Sequence, residues 1–172
     1  MKPKKINITF FIIICIGLFN SCKLGGYSFT GADIDANIKT ITIEYFPNRA
    51  SLVQPDLSNM FTEALKDKFV SQTNLQLVNY NGDLIFEGEI TNYDISPQAF
   101  QANETSALTR LTITIRVKYT NTVETSKSFD SSFSRYADFE SSQNLSSVES
   151  DLMKQICDEL VVDIFNKSVA NW

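Results

Sequence analysis

Histidine is absent from all 172 residues. Without an imidazole, neither a Ser-His-Asp nor a Cys-His nucleophile can be assembled, and the nitrogen ligands that zinc and iron sites favour are missing. Any catalysis would fall to carboxylates, Lys or Tyr, and no metal or cofactor is expected. Cysteine is scarce, with only Cys15, Cys22 and Cys157. Basic charge is outweighed, 15 Lys and Arg against 20 Asp and Glu for a net −5. That balance argues against nucleic acid as a partner, because phosphate neutralisation needs clustered Lys and Arg. The apolar stretch Ile8 to Phe19 is shorter than the ~20 residues needed to cross the hydrocarbon core. No internal repeat and no low-complexity linker interrupts the chain.

What is present begins with the leader. Lys2, Lys4 and Lys5 form a basic head, Ile8 to Phe19 an apolar run, and Ser21-Cys22 its end. This is the layout of an export signal. A cysteine at the cut resembles the bacterial lipoprotein box, whose thiol carries a lipid anchor. Phe19 holds the position three before the cysteine where Leu is usual, and Leu18 lies one earlier. Cleavage is expected before Cys22, with residues 1–21 as signal, 22–37 as a Gly-containing lead and 38–172 as one domain. Loss of three lysines and no acid would move the net charge from −5 to −8. A chain of this size buries roughly 70% of its unfolded surface. Cys15 would leave with the signal and Cys22 would carry lipid, so Cys157 has no disulfide partner even in an oxidising compartment. Beside Ile156 and Leu160 it reads as a small buried hydrophobe.

From Ile38 the pattern alternates, with Ile41, Ile43 and Tyr45 opposite Thr40, Thr42 and Glu44 until Pro47-Asn48. That is a first strand. Leu57, Met60, Phe61, Ala64, Leu65 and Phe69 form one helical stripe, with Asp56 as the expected N-cap. Leu75 to Val78 is a short strand, and Asn81-Gly82 reads as a hairpin turn. Asp83 to Ile95 forms the next strand, Gln98 to Ser106 a mobile loop. Leu111, Ile113, Ile115, Val117 and Tyr119 alternate with polar residues in the clearest strand of the chain. After a turn at Glu124 to Ser126, Ser128 to Phe139 pairs back. Ser146 and Glu149 have capping-box spacing, and an apolar stripe from Val148 to Phe165 makes a second helix running toward Trp172. The expected fold is two-layer α+β, with two helices on one face of a mostly antiparallel sheet of about four to five strands, in the order β-α-β-β-β-β-α.

Two constellations could carry chemistry. Glu87 and Glu89 lie on one strand face, roughly 6.7 Å apart along it, a separation compatible with glycosidase carboxylates. On a solvated face, without a cleft to separate their pKa values, they read as surface acids. No catalytic residue is assigned. Arg110, Arg116 and Lys118 form a basic strip on the wet face of the clearest strand. They suit cross-strand pairing with Glu87, Glu89 or Asp130, or the holding of lipid phosphates, for which Arg forks are apt.

Gly26-Tyr27-Ser28-Phe29-Thr30-Gly31, Ile41-Thr42-Ile43 leading to Phe46 and Asn48, and Leu84 to Ile90 leading to Tyr93 together resemble LptE. This is the outer-membrane lipopolysaccharide-assembly lipoprotein family, here in the form found in Bacteroidota. The resemblance spans Cys22 to Trp172, with Lys23-Leu24-Gly25 as a small insertion. It implies two helices on a four-stranded sheet, no enzymatic activity, and a plug inside an LptD-type β-barrel that aids barrel assembly and meets lipopolysaccharide. Lipidated Cys22 would hold the chain to the inner leaflet of the outer membrane, on the periplasmic side, at about 0.8 kcal/mol per buried CH₂. Arg110, Arg116 and Lys118 match no motif of that family as lipopolysaccharide contacts and rest on residue chemistry alone. The alternative is a stand-alone periplasmic lipid- or glycan-binding lipoprotein, which needs a closed apolar pocket of a few hundred Å³.

Overall fold

The computed structural model describes residues 34–98 and 107–169. Cys22, the Gly26–Gly31 stretch and most of the loop expected at 98–106 lie outside them. The elements are β1 (Thr40–Ile43), α1 (Leu57–Gln72), β2 (Gln76–Leu77), β3 (Leu84–Pro97), β4 (Leu108–Asn121), β5 (Phe129–Glu140) and α2 (Leu145–Val169). The two-layer α+β architecture and its element order are as the sequence patterns require. One sheet runs β2-β1-β3-β4-β5. It is mixed: β1 pairs parallel with β2 and β3, whereas β3, β4 and β5 are antiparallel. The fifth strand beyond the four implied by the resemblance is the two-residue β2.

Asn81-Gly82 is not a hairpin, because β2 and β3 never pair and β1 lies between them. The left-handed backbone is there, with Asn81 at φ 56, but the turn serves a crossing. Residues 78–83 pass over the face of β1 away from the helices, where the Gly82 N–H donates to the Thr42 hydroxyl at 3.0 Å. A Cβ on Gly82 would stand 2.6 Å from the Thr42 nitrogen, so only glycine permits this approach. Asp83 closes the crossing. One carboxylate oxygen accepts the N–H groups of Lys39 at 2.8 Å and Thr40 at 2.9 Å, together with the Thr40 hydroxyl at 2.9 Å.

Both expected helix caps differ in detail. Asp56 has helical backbone angles (φ −81, ψ −17) and makes no side-chain cap. In α2 the capping residue is Asn144, whose Oδ1 accepts the Ser146 N–H at 3.1 Å. Glu149 does not turn back to Ser146. It accepts the Tyr93 hydroxyl at 2.5 Å, pinning the first turns of α2 to the sheet. Tyr93 reaches the helix side because the β3–β4 register shifts between Ile90 and Asn92. This bulge changes the parity of β3, so Leu84, Phe86 and Ile90 face the core before it and Tyr93 after it.

The core is continuous between the layers. Phe61, Leu65 and Phe69 of α1 and Ile156, Leu160 and Ile164 of α2 are fully buried with Phe86, Leu111, Ile113 and Ile115 of the sheet. Met60 and Ala64, on the same expected stripe, are only partly buried. Cys157 is wholly buried, and burial pushes its thiol up to about 12, the inert state expected of a packing cysteine.

Gly88 supports the packing of Phe46, since an added Cβ would fall 2.6 Å from that ring and 2.1 Å from the Arg116 carbonyl oxygen. Gly88→Ala is expected to cost about 1–3 kcal/mol through overpacking, seen as a lower urea midpoint at unchanged slope. An unchanged midpoint would show that β3 and β4 yield there. The backbone donors on Asp83 hold its carboxyl below the ordinary 3.8. Its folded pKa is therefore depressed, so its contribution is complete above the unfolded value and is lost as pH falls through the folded one. Asp83→Asn should lower stability at neutral pH and flatten that acid limb in urea titrations. An acid limb identical to wild type would assign the loss to other carboxylates.

Candidate functional site

The sheet face turned away from the helices is where the sequence places its candidate residues. Even positions of β4 project there, and the register sets Glu89 opposite Arg116, Glu87 opposite Lys118 and Asp138 opposite Arg110. Arg110, Arg116 and Lys118 do share this face, but none stands alone. Arg110 forms a two-bond fork on Asp138 at 2.7 and 2.8 Å. Arg116 does the same on Asp130 at 2.9 and 2.7 Å, and Lys118 donates to Glu87 at 2.8 Å. The Arg110 guanidinium also lies 3.5 Å from the centre of the Tyr136 ring, within cation–π range. Thr114 and Ser134 hydroxyls join at 2.9 Å between the two forks.

These bonds bias protonation in the direction expected for ion pairs. The Arg116 fork holds the Asp130 carboxyl below the ordinary carboxylate range, and the Arg110 fork does the same to Asp138. Glu87, chiefly through its hydrogen bond, raises the Lys118 ammonium. Glu44, Glu89, Asp94 and Glu140 add carboxylates on the same face beyond those already paired. The face is net acidic, and an incoming phosphate meets carboxylate competition at either guanidinium. Direct Arg110–Asp138 pairing and the contribution of Tyr136 are what the sequence reading missed. The available signal was parity: Asp130, Tyr136 and Asp138 occupy the even positions of β5 that match those of β4.

Glu87 and Glu89 are brought onto one face as expected, around an open depression of about 300 Å³ shared with Arg116, Lys118 and Asp130. With Glu87 held by Lys118, this is not the water-excluding cleft that carboxylate catalysis uses. Two further hollows are open too. A groove of about 570 Å³ runs between the helices over Met60, Ala64, Cys157 and Val161. Another of about 270 Å³ lies where the chain enters, among Ile34, Ile38, Thr73 and Leu75. Among the described residues no cluster of carboxylate and thiol groups is arranged to hold a metal ion.

If the carboxylates keep the strip from anions, Asp130→Asn with Asp138→Asn should release Arg116 and Arg110. The double variant is expected to cosediment more strongly than wild type with anionic lipid vesicles at low salt, with the gain abolished at high salt. Equal binding would show that the released guanidiniums do not meet a lipid surface.

Several solved structures of low identity are similar to this chain. A hypothetical protein from Chlamydia trachomatis matches with a TM-score of 0.51 at 11% identity, over 78% of this chain and 99% of that one. A neuraminyllactose-binding hemagglutinin homolog from Helicobacter pylori gives 0.50 at 9%, over 82% and 88%. A minor lipoprotein from Acinetobacter baumannii gives 0.47 at 15%, over 76% and 92%. At such identities the first two likenesses speak for the fold alone. No curated protein matches the chain. The family model described as LptE, lipopolysaccharide-assembly, matches residues 38–168, which takes in every strand and almost all of both helices. The chain therefore belongs to the LptE lipopolysaccharide-assembly family.

Proposed function

We propose that this protein is the non-catalytic lipoprotein subunit of an outer-membrane lipopolysaccharide translocon, lodged as a plug in an LptD-type β-barrel. In that position it aids barrel assembly and the delivery of lipopolysaccharide to the outer leaflet. The observation that carries this reading is the family match across residues 38–168. Its physical support is a domain with its own dry core and a polar exterior, which suits the water-filled lumen of a barrel.

The arrangement of ends gives the reading a direction. Ile34, where the described chain begins, lines a hollow with Ser71 to Leu75 at the end of α1 and another with Ser168 and Val169 at the end of α2. Lipidated Cys22 lies twelve residues before Ile34, at most about 40 Å of extended chain. This is the anchor end, held toward the inner leaflet on the periplasmic side. β3 and β4 run some 45 Å from it and join at the opposite end, where the Gln98 N–H meets the Leu108 carbonyl at 2.9 Å. Arg110, Arg116 and Lys118 meet lipopolysaccharide phosphates by exchanging their carboxylate partners.

Extraction of the tagged full chain in mild detergent is expected to yield an outer-membrane β-barrel in equal amount. A lone lipoprotein at every detergent strength would overturn the plug reading. Cys22→Ser is expected to release the chain from the outer-membrane fraction when the barrel is absent, as read by fractionation. Retention of that variant in the fraction would place the anchor elsewhere.

A further inference from the structure

The two edges of the sheet are unlike. β2 presents two residues, whereas β5 presents twelve. The β4–β5 register runs unbroken from Leu108↔Glu140 to Tyr119↔Phe129, and no proline interrupts β5. The Ser141 N–H bonds the Ala107 carbonyl at 2.9 Å, one step beyond the Leu108↔Glu140 pair. Odd positions of β5 therefore send their N–H and C=O groups to β4, and even positions send theirs outward. Asp130, Ser132, Ser134, Tyr136, Asp138 and Glu140 are all exposed, and of their outward backbone groups only the Glu140 carbonyl meets a backbone partner among the described residues, accepting the Gln143 N–H at 2.9 Å. Natural proteins usually shorten, bulge or cover an edge of this length.

We infer that the outer edge of β5 receives an extended strand from a protein partner, which adds to the sheet as a sixth strand. The inference rests on the docked reading above and names the surface that docks. The chemistry of the strand follows from the two sides of β5. On the wet side Asp130 and Asp138 are already forked by Arg116 and Arg110 of β4, and Glu140 meets no base among the described residues. A Lys or Arg of the strand therefore belongs beside Glu140, with polar residues elsewhere on that side. On the helix side Phe129 and Phe133 are only half-buried. Lys167 lies 4.7 and 5.4 Å from their ring centres and donates to the Ser131 hydroxyl at 2.7 Å, so apolar residues of the strand would cover the open side of these rings. A second copy of this chain fits less well. The antiparallel registers of greatest overlap set Asp130 opposite the copy's Asp138 or Glu140, and like charges directly opposed destabilise a strand pair.

The test compares amide exchange over residues 129–140 in the detergent-extracted assembly with that in the full chain stripped of its partners. Protection of the even-position amides in the assembly is expected. Ser132→Pro removes one outward N–H at a position where an edge strand tolerates proline. It should lower partner recovery about tenfold at an unchanged melting temperature, while Ser132→Ala recovers the partner as wild type does. Equal exchange in the two states overturns the inference, as does full recovery with Ser132→Pro. Protection that grows with concentration of the stripped chain alone assigns the edge to a second copy and also overturns it. Should Ser132→Pro lower the melting temperature, the wild-type exchange comparison decides by itself. A barrel that coelutes over an unprotected edge rejects this inference alone, and a protected edge with a partner other than a barrel rejects the plug reading alone.

Discussion

Phe69 holds the two layers together. Its ring lies 4.8 Å from that of Phe86 in β3 and 5.1 Å from that of Phe165 in α2, so one side chain of α1 touches both the sheet and the other helix. From Phe86 the contact continues to Tyr119 at 4.8 Å and on to Phe129 at 5.2 Å, crossing β3, β4 and β5 in turn. Aromatic pairs in such tilted geometries add about 0.5–1.5 kcal/mol each beyond the area they bury. The row therefore commits one face of the sheet to the helices. Everything functional must then be sought on the other face, at the two ends, or along the edges.

Commitment of one face has an electrostatic consequence on the other. Strand alternation puts Arg110, Arg116 and Lys118 in line, and the same alternation in β3 and β5 puts carboxylates within reach of each. A positive strip in the sequence becomes a zipped, net acidic surface in the fold. Its two forks join β4 to β5 from above and the Lys118–Glu87 bond joins β4 to β3, while the aromatic row joins them from below. An anion that approaches the two guanidiniums meets them already engaged by carboxylates, a competition that depends on salt.

The ends and edges divide the remaining roles. Where the chain enters, Ile34, the ends of both helices and the start of β3 gather together, and the longest hairpin reaches away from that point. One edge is blunted to two residues by the passage of residues 78–83 across β1, which needs Gly82 and the carboxylate of Asp83. The other edge is long, regular and open. An asymmetric sheet of this kind has a single side on which it can grow.

The sequence by itself determined the alternation and helical stripes, hence the layer count, the element order and most of the core, because side-chain periodicity is a local property of the backbone. It also placed Glu87, Arg116 and Lys118 on one face by parity, and the absence of histidine narrowed the chemistry. Only the tertiary structure decided what depends on contacts between distant segments. Asn81-Gly82 carries the chain over β1 instead of closing a hairpin, since β1 had already taken the position beside β2. Glu149 bonds Tyr93 instead of capping its own helix, since a bulge after Ile90 turns that tyrosine inward. Which acid takes which base, Asp138 for Arg110, Asp130 for Arg116 and Glu87 for Lys118, follows from register, a relation between strands and not a property of either one.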